Sequence, residues 1–163
     1  MVSNRYIVTL STIIFFLMLD QSIKIAVESH LIFHQSVQVF PFFSLYLTHN
    51  TGISFSLLSH ISPLFIISIR ILIISLILLM WKNNPKSNLI IDIGYILIIS
   101  GALGNLIDHC LRGHVIDYIM LHTKTWYFAI FNLADFLISV GSCILIYNEF
   151  ITSYKKKNLD NSY

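Results

Sequence analysis

Charge is what this sequence lacks most. Only 11% of its 163 residues are charged, whereas 56% are hydrophobic. A soluble globular chain carries about 25% charged residues. With less than half of that, the chain cannot cover itself with a polar surface, and a bilayer is the solvent that fits. Charge of one sign is missing too: the net charge is +2, and no basic stripe alternates with aromatic residues. That excludes nucleic acid as a partner. Cysteine is scarce. Cys110 and Cys143 stand in no CxxC or Cys/His spacing, so they are expected to remain unpaired small apolar residues. No small-residue cleavage site follows the first apolar run, only Asp20, Gln21 and Lys24, so that run reads as a retained span. Repeats and low-complexity tracts are absent as well, which leaves one domain over residues 1–163.

Four apolar runs are present, at about 6–27, 61–81, 89–107 and 132–151. Each is long enough to cross a hydrocarbon core of about 30 Å. The expected fold is therefore an all-α membrane bundle of four transmembrane helices. Arg5, Lys82, Lys86 and Lys155 to Lys157 flank the spans on one side; Lys24, Arg112 and Lys124 lie on the other. The larger set marks the cytoplasmic side, with both termini there. Segments 28–60 and 108–131 then face outward and contain all seven histidines. Residues 37–43 and 45–48 read as short strands around Pro41, and Asn50-Thr51-Gly52 as a turn. A small outer β-sheet and a short amphipathic helix near 53–58 are expected. The polar tail 158–163 is expected to be disordered.

An ionisable group within a span is costly and signals function. Asp135 lies four residues into the last run, and Asp117 follows the third. The outer loop joins antiparallel helices, so the two can meet at the outer membrane boundary. Two carboxylates held close do not both ionise. One keeps its proton and polarises a carbonyl; the other takes a proton from water. The structural alternative is a pair of helix caps or ion-paired aspartates. Asp20 and Lys24 are four residues apart, on one helix face, and can neutralise each other. Ser100 and Gly104 allow close helix approach, while Asn105 and Asp108 bring polar groups to the boundary.

Five ordered motifs, Asp20-Gln21-x-x-Lys24, Asn50-Thr51-Gly52-x-x-Phe55, Gly101-x-x-Gly104-Asn105-x-x-Asp108, Gly113-x-Val115-x-Asp117-Tyr118 and Phe131-Asn132-x-Ala134-Asp135, resemble those of bacterial lipoprotein signal peptidases, also called signal peptidase II. The resemblance runs from the first span to the last. It implies an aspartic endopeptidase of the bacterial inner membrane that needs no cofactor and acts as a monomer. Such an enzyme cleaves diacylglyceryl-modified prolipoproteins before the lipidated Cys, among membrane lipid, and is inhibited by globomycin-like cyclic peptides. Asp117 and Asp135 match the catalytic pair. Asp20, Lys24, Asn50, Gly52, Asn105, Asp108, His109, Asn132 and Ala134 match or adjoin substrate-binding and supporting positions. His109 stands where relatives have an arginine, and it lacks a guanidinium fork. Ser100 replaces a common glycine. Arg70, midway along the second run, has no assigned role.

Three other readings compete. The histidines invite a metal enzyme, but the sequence has no HExxH, and His30/His34 is the only i,i+4 pair. Cys110 beside His109 invites a cysteine protease. Intramembrane carboxylates also serve a small proton-linked transporter or scaffold. A relay, however, needs polar groups spread across the membrane, whereas these gather at one boundary.

Overall fold

The computed structural model describes residues 2–51, 62–84, 88–128 and 130–160. The elements are α1 (Val2–His30), β1 (Ser36–Phe40), β2 (Phe43–Asn50), α2 (Pro63–Lys82), α3 (Leu89–Arg112), β3 (Val115–Leu121) and α4 (Leu133–Asp160). All four helices are long and apolar enough to cross a membrane. Ile7, Leu10, Phe15, Leu72, Leu79 and Phe136 are exposed along them. A surface this apolar would aggregate in water, and acyl chains are the partner it requires.

α3 is the central helix and packs on α1, α2 and α4. Its buried side chains include Ile91, Tyr95, Ile98 and Ile99. Small residues set how closely the other helices approach. A Cβ on Gly101 would lie 2.2 Å from the Ala134 carbonyl oxygen of α4, and one on Gly104 would lie 2.6 Å from Asp20 Oδ2 of α1. Ser100 fits because its hydroxyl bonds back to the Ile96 carbonyl at 2.7 Å. At the opposite end of the bundle, Asp92 accepts hydrogen bonds from Arg5 and, at 2.9 Å, from Trp81 Nε1. That ties the starts of α1 and α3 to the end of α2.

The outer segments build one antiparallel sheet in the order β1-β2-β3. Pro41 and Phe42 turn the β1–β2 hairpin, and Phe42 holds a φ of 71°, a position usually taken by glycine. Beyond a bulge between Leu45 and Thr48, Thr48 pairs with Asp117 and Asn50 with Val115. Leu47, Ile116 and Tyr118 bury themselves against Val27 of α1. Phe131 exchanges backbone bonds with Ile119 at 2.8 and 3.1 Å, so the start of α4 is stitched to β3.

Several expected bounds change. The strands run 36–40 and 43–50 rather than 37–43 and 45–48, because the Pro41–Phe42 turn separates them. α3 extends past residue 107 to Arg112, where Gly113 caps it in the left-handed conformation at φ 75°. α4 continues through residue 160, so residues 158–160 of the expected disordered tail are helical, while 161–163 lie outside the described residues. Segment 108–131 also contains a strand, β3, where only a loop was expected. Gly52 and the expected helix at 53–58 lie outside the described residues. Both cysteines are free and exposed.

Gly101→Val forces a methyl-bearing carbon into a backbone oxygen that cannot move aside. Its expected cost is about 1–3 kcal/mol, read as a lower unfolding midpoint in detergent. An unchanged midpoint would show that α3 and α4 are not packed this closely.

Candidate active site

The site is assembled from α1, α3, β2, β3 and the start of α4. Asn132 immediately precedes α4 and caps it. Its Oδ1 accepts the Asp135 amide N–H at 2.9 Å, and Asp135 Oδ2 accepts the Asn132 N–H at 3.3 Å. This is a reciprocal capping box. The Asn132 side-chain amide also donates to Asp117 Oδ1 at 2.7 Å and to Asn105 Oδ1 at 3.2 Å. Asn105 donates to Asp135 Oδ1 at 2.7 Å, and Asn50 of β2 donates to Asp117 Oδ2 at 3.1 Å. Asp117 and Asp135 are thus joined through two asparagine amides.

Lys24 fixes the direction of those amides. An ammonium group only donates, and Lys24 Nζ lies 3.2 Å from Asn105 Oδ1. The NH2 of Asn105 must therefore point at Asp135. Lys24 itself is fully buried between Asp108 at 2.7 Å and Asp20 at 2.8 Å. Arg112 pairs with the other oxygen of Asp108 at 2.9 Å, and Gln21 donates to that oxygen at 3.0 Å. Two acids and two bases cancel here, which makes burial of the cluster tolerable.

Asp117 is buried, and its carboxyl is pushed up from the usual carboxylate range to about 7, chiefly by burial and next by the charge of Asp135. The Asp117 carboxyl therefore holds its proton to higher pH than an ordinary aspartate. Tyr118 beside it is also pushed up, to about 12, by burial. Its hydroxyl oxygen accepts the Leu133 N–H at 3.3 Å.

Sequence reasoning placed Asp20, Lys24, Asn50, Asn105, Asp108, Asp117, Asn132 and Asp135 together, and the network contains all eight. Ala134 is buried beneath them against Gly101 and Gly104. His109 is buried too, but neither ring nitrogen has a hydrogen-bond partner among the described residues. It therefore makes no Cys110–His109 pair. Asp108 is not a helix cap but the acceptor for Lys24 and Arg112. Gln21 and Arg112 join the network through Asp108; for Arg112 the i,i+4 spacing from Asp108 carried that signal, whereas Gln21 reaches Asp108 across helices.

Glu28, His49 and His114 bring potential metal-ligand atoms within 4.8 Å of one another. The two imidazoles are stacked face to face with centroids 3.8 Å apart, and Arg112 already lies 3.5 Å from Glu28. Stacked rings do not aim both lone pairs at one ion, and a neighbouring guanidinium opposes a cation. The i,i+4 histidines do not face one another: His30 turns back to Ala26 O and His34 stacks on Phe33.

Two carboxylates linked through asparagine amides at one end of a membrane bundle are the arrangement expected of a membrane-embedded aspartic peptidase. Residues 12–151 match the family described as signal peptidase (SPase) II. A lipoprotein signal peptidase of Sinorhizobium fredii is 45% identical over 88% of this chain and 86% of its own length. One from Mesorhizobium japonicum is 46% identical over 82% and 79%. A solved bacterial membrane enzyme superposes with a TM-score of 0.82 at 26% identity, covering 91% of each chain. The chain belongs to the signal peptidase II family.

Raising the pH through about 7 removes the Asp117 proton. Its folded pKa lies above the unfolded value, so its contribution to stability is complete below about pH 4 and is lost as pH rises through about 7. Turnover is expected to fall along the same alkaline limb. A pH series of unfolding midpoints, native against Asp117→Asn, checks this; equal slopes for the two proteins would contradict it.

Proposed function

We propose that this protein removes the signal peptide from diacylglyceryl-modified prolipoproteins, with Asp117 and Asp135 as its catalytic pair. The observation that carries the reading is the pair of asparagine amides bonded to both carboxylates. Neutral Asp117 donates its proton to the scissile carbonyl oxygen. Ionised Asp135 takes a proton from water as the water oxygen bonds to the carbonyl carbon. The resulting gem-diol collapses: Asp135 returns its proton to the leaving nitrogen, the C–N bond breaks, and a hydroxyl proton passes back to Asp117. No metal and no covalent intermediate is needed.

The chemistry takes place near the lipid boundary, at the sheet end of the bundle. The exposed apolar helix faces suit the acyl chains of the substrate, and the sheet suits its extended backbone. Arg5 and Lys82 lie at the other end, which supports cytoplasmic termini and an active site on the outer face of the inner membrane. Lys24, being buried in ion pairs, does not weigh in that comparison. A monomer suffices, since every catalytic contact comes from one chain. Globomycin-like cyclic peptides are the inhibitors this site should accept.

Asp117→Asn and Asp135→Asn, purified and folded, are each expected to lose turnover of a diacylglyceryl prolipoprotein by about 100- to 10,000-fold. Near-native turnover in either would remove that residue from the catalytic pair.

A proton-linked transporter is the second reading. It is disfavoured because, among the described residues, the charge at the opposite end is absorbed by the Arg5–Asp92 pair rather than continuing as a polar path. For a metal-dependent reading, a chelator decides: cleavage is expected to persist in its presence, and loss of cleavage restored by Zn²⁺ would favour Glu28, His49 and His114.

A further inference from the structure

Arg70 is a guanidinium that neither the helix packing nor the network described above uses. It is the eighth residue of α2, so its Cα lies about 10 Å below the outer end of that helix. Asn105 lies seven residues below the outer end of α3, again about 10 Å. α2 and α3 are antiparallel neighbours whose connected inner ends are Lys82 and Leu89; counted from there, Arg70 lies about 6 Å nearer the inner face than Asn105, a gap that a long side chain leaning outward can span. A helical side chain leans toward its helix's N-terminus, and the N-terminus of α2 is its outer end. Arg70 is therefore directed up toward the dyad.

Its surroundings agree. The residue is half-buried, and its Nε is closed off from solvent with no hydrogen-bond partner among the described residues. An arginine that merely snorkels would keep its head in water. The carboxylates near enough to act on it are Asp135, Asp117 and Asp108. Asp108 is already neutralised by Lys24 and Arg112. What remains is the single negative charge of the dyad. His109 is also close enough to interact electrostatically with the guanidinium.

We propose that Arg70 is the cation of this active site: delivered from α2, it balances the mono-anionic dyad and donates guanidinium N–H groups to the peptide carbonyl oxygens of the bound substrate. This rests on the assignment of Asp117 and Asp135 made above. As peptide hydrolysis proceeds, negative charge builds on the carbonyl oxygen, and a donor already in place stabilises it. The groups around the dyad are then Arg70 from α2, Asn105 from α3, Lys24 from α1, Asn50 from β2, Tyr118 from β3 and Asn132 at the start of α4.

The test uses Arg70→Gln and Arg70→Lys in the full chain, purified in detergent, with a diacylglyceryl prolipoprotein as substrate. Arg70→Gln is expected to lower kcat/KM by about 100-fold, mostly in kcat. It should also move the alkaline limb of the pH profile upward by about 0.5 to 1 unit, because an anion without its counter-charge holds protons more tightly. Arg70→Lys keeps the charge, so its limb should stay in place while kcat/KM remains lowered by about 5- to 10-fold for want of the fork. A folded Arg70→Gln with near-native kcat/KM and an unmoved limb overturns the proposal. If that variant does not fold, Arg70→Lys decides, and fully native kinetics there overturns the donor role. The Asp→Asn variants keep the two failures apart. Turnover in those would sink the dyad, whereas dead Asp→Asn variants beside a native Arg70→Gln would sink Arg70 alone.

Discussion

One buried ammonium organises the sheet end of this protein. Lys24 is fully enclosed and touches Asp20, Asp108 and the side-chain oxygen of Asn105. A charge without water must be matched by its neighbours, and the two carboxylates do that. The third contact has the chemical consequence. By claiming the oxygen of Asn105, Lys24 turns the amide nitrogen toward Asp135. Asn132 is polarised in the same sense, its oxygen committed to the α4 cap and its nitrogen to Asp117 and Asn105. Donors thus face both aspartates, and the burial that raises the Asp117 carboxyl also keeps these amides from turning to solvent.

The fold supports that arrangement from three directions. Gly101 and Gly104 bring α4 and α1 against α3, so residues from three helices reach one point. The bulge in β2 and the Phe131 stitch bring Asp117 to the same point from the sheet. Asp108 also accepts the backbone N–H of Ile116 at 3.4 Å, which anchors β3 to the end of α3. The sheet end is therefore over-determined, while the exposed sides of the helices carry little beyond apolar surface.

Much of this was legible in the sequence, for identifiable reasons. Hydrophobic runs of spanning length have few alternative fates, so the four helices could be read directly. The convergence of Asp117 and Asp135 on one network could be read because carboxylates at a membrane boundary are costly, and Asp117 lies in, and Asp135 just past, the outer segment that joins α3 to α4. The eight network residues were legible as motifs, but their connectivity was not. Nothing in the spacing says that Lys24 orients Asn105, since that depends on how α1 crosses α3. β3 was missed because Asp117 interrupts its apolar run and drew attention as chemistry rather than as a strand residue. The length of α3 was missed because Asp108 and Arg112 look like loop residues until their i,i+4 pairing within the helix is seen. Arg70 stood out as an anomaly, and only the antiparallel packing of α2 on α3 gives it a direction.

The central claim is that this network holds one aspartate neutral beside another that ionises. Carboxyl ¹³C resonances of aspartate-labelled protein, followed through a pH titration in detergent micelles, test it most directly. The account predicts a carboxyl that stays protonated well above the ordinary aspartate range and titrates at about 7, and whose signal disappears when position 117 is changed. A titration in which every aspartate is already ionised by pH 5 to 6 would contradict it.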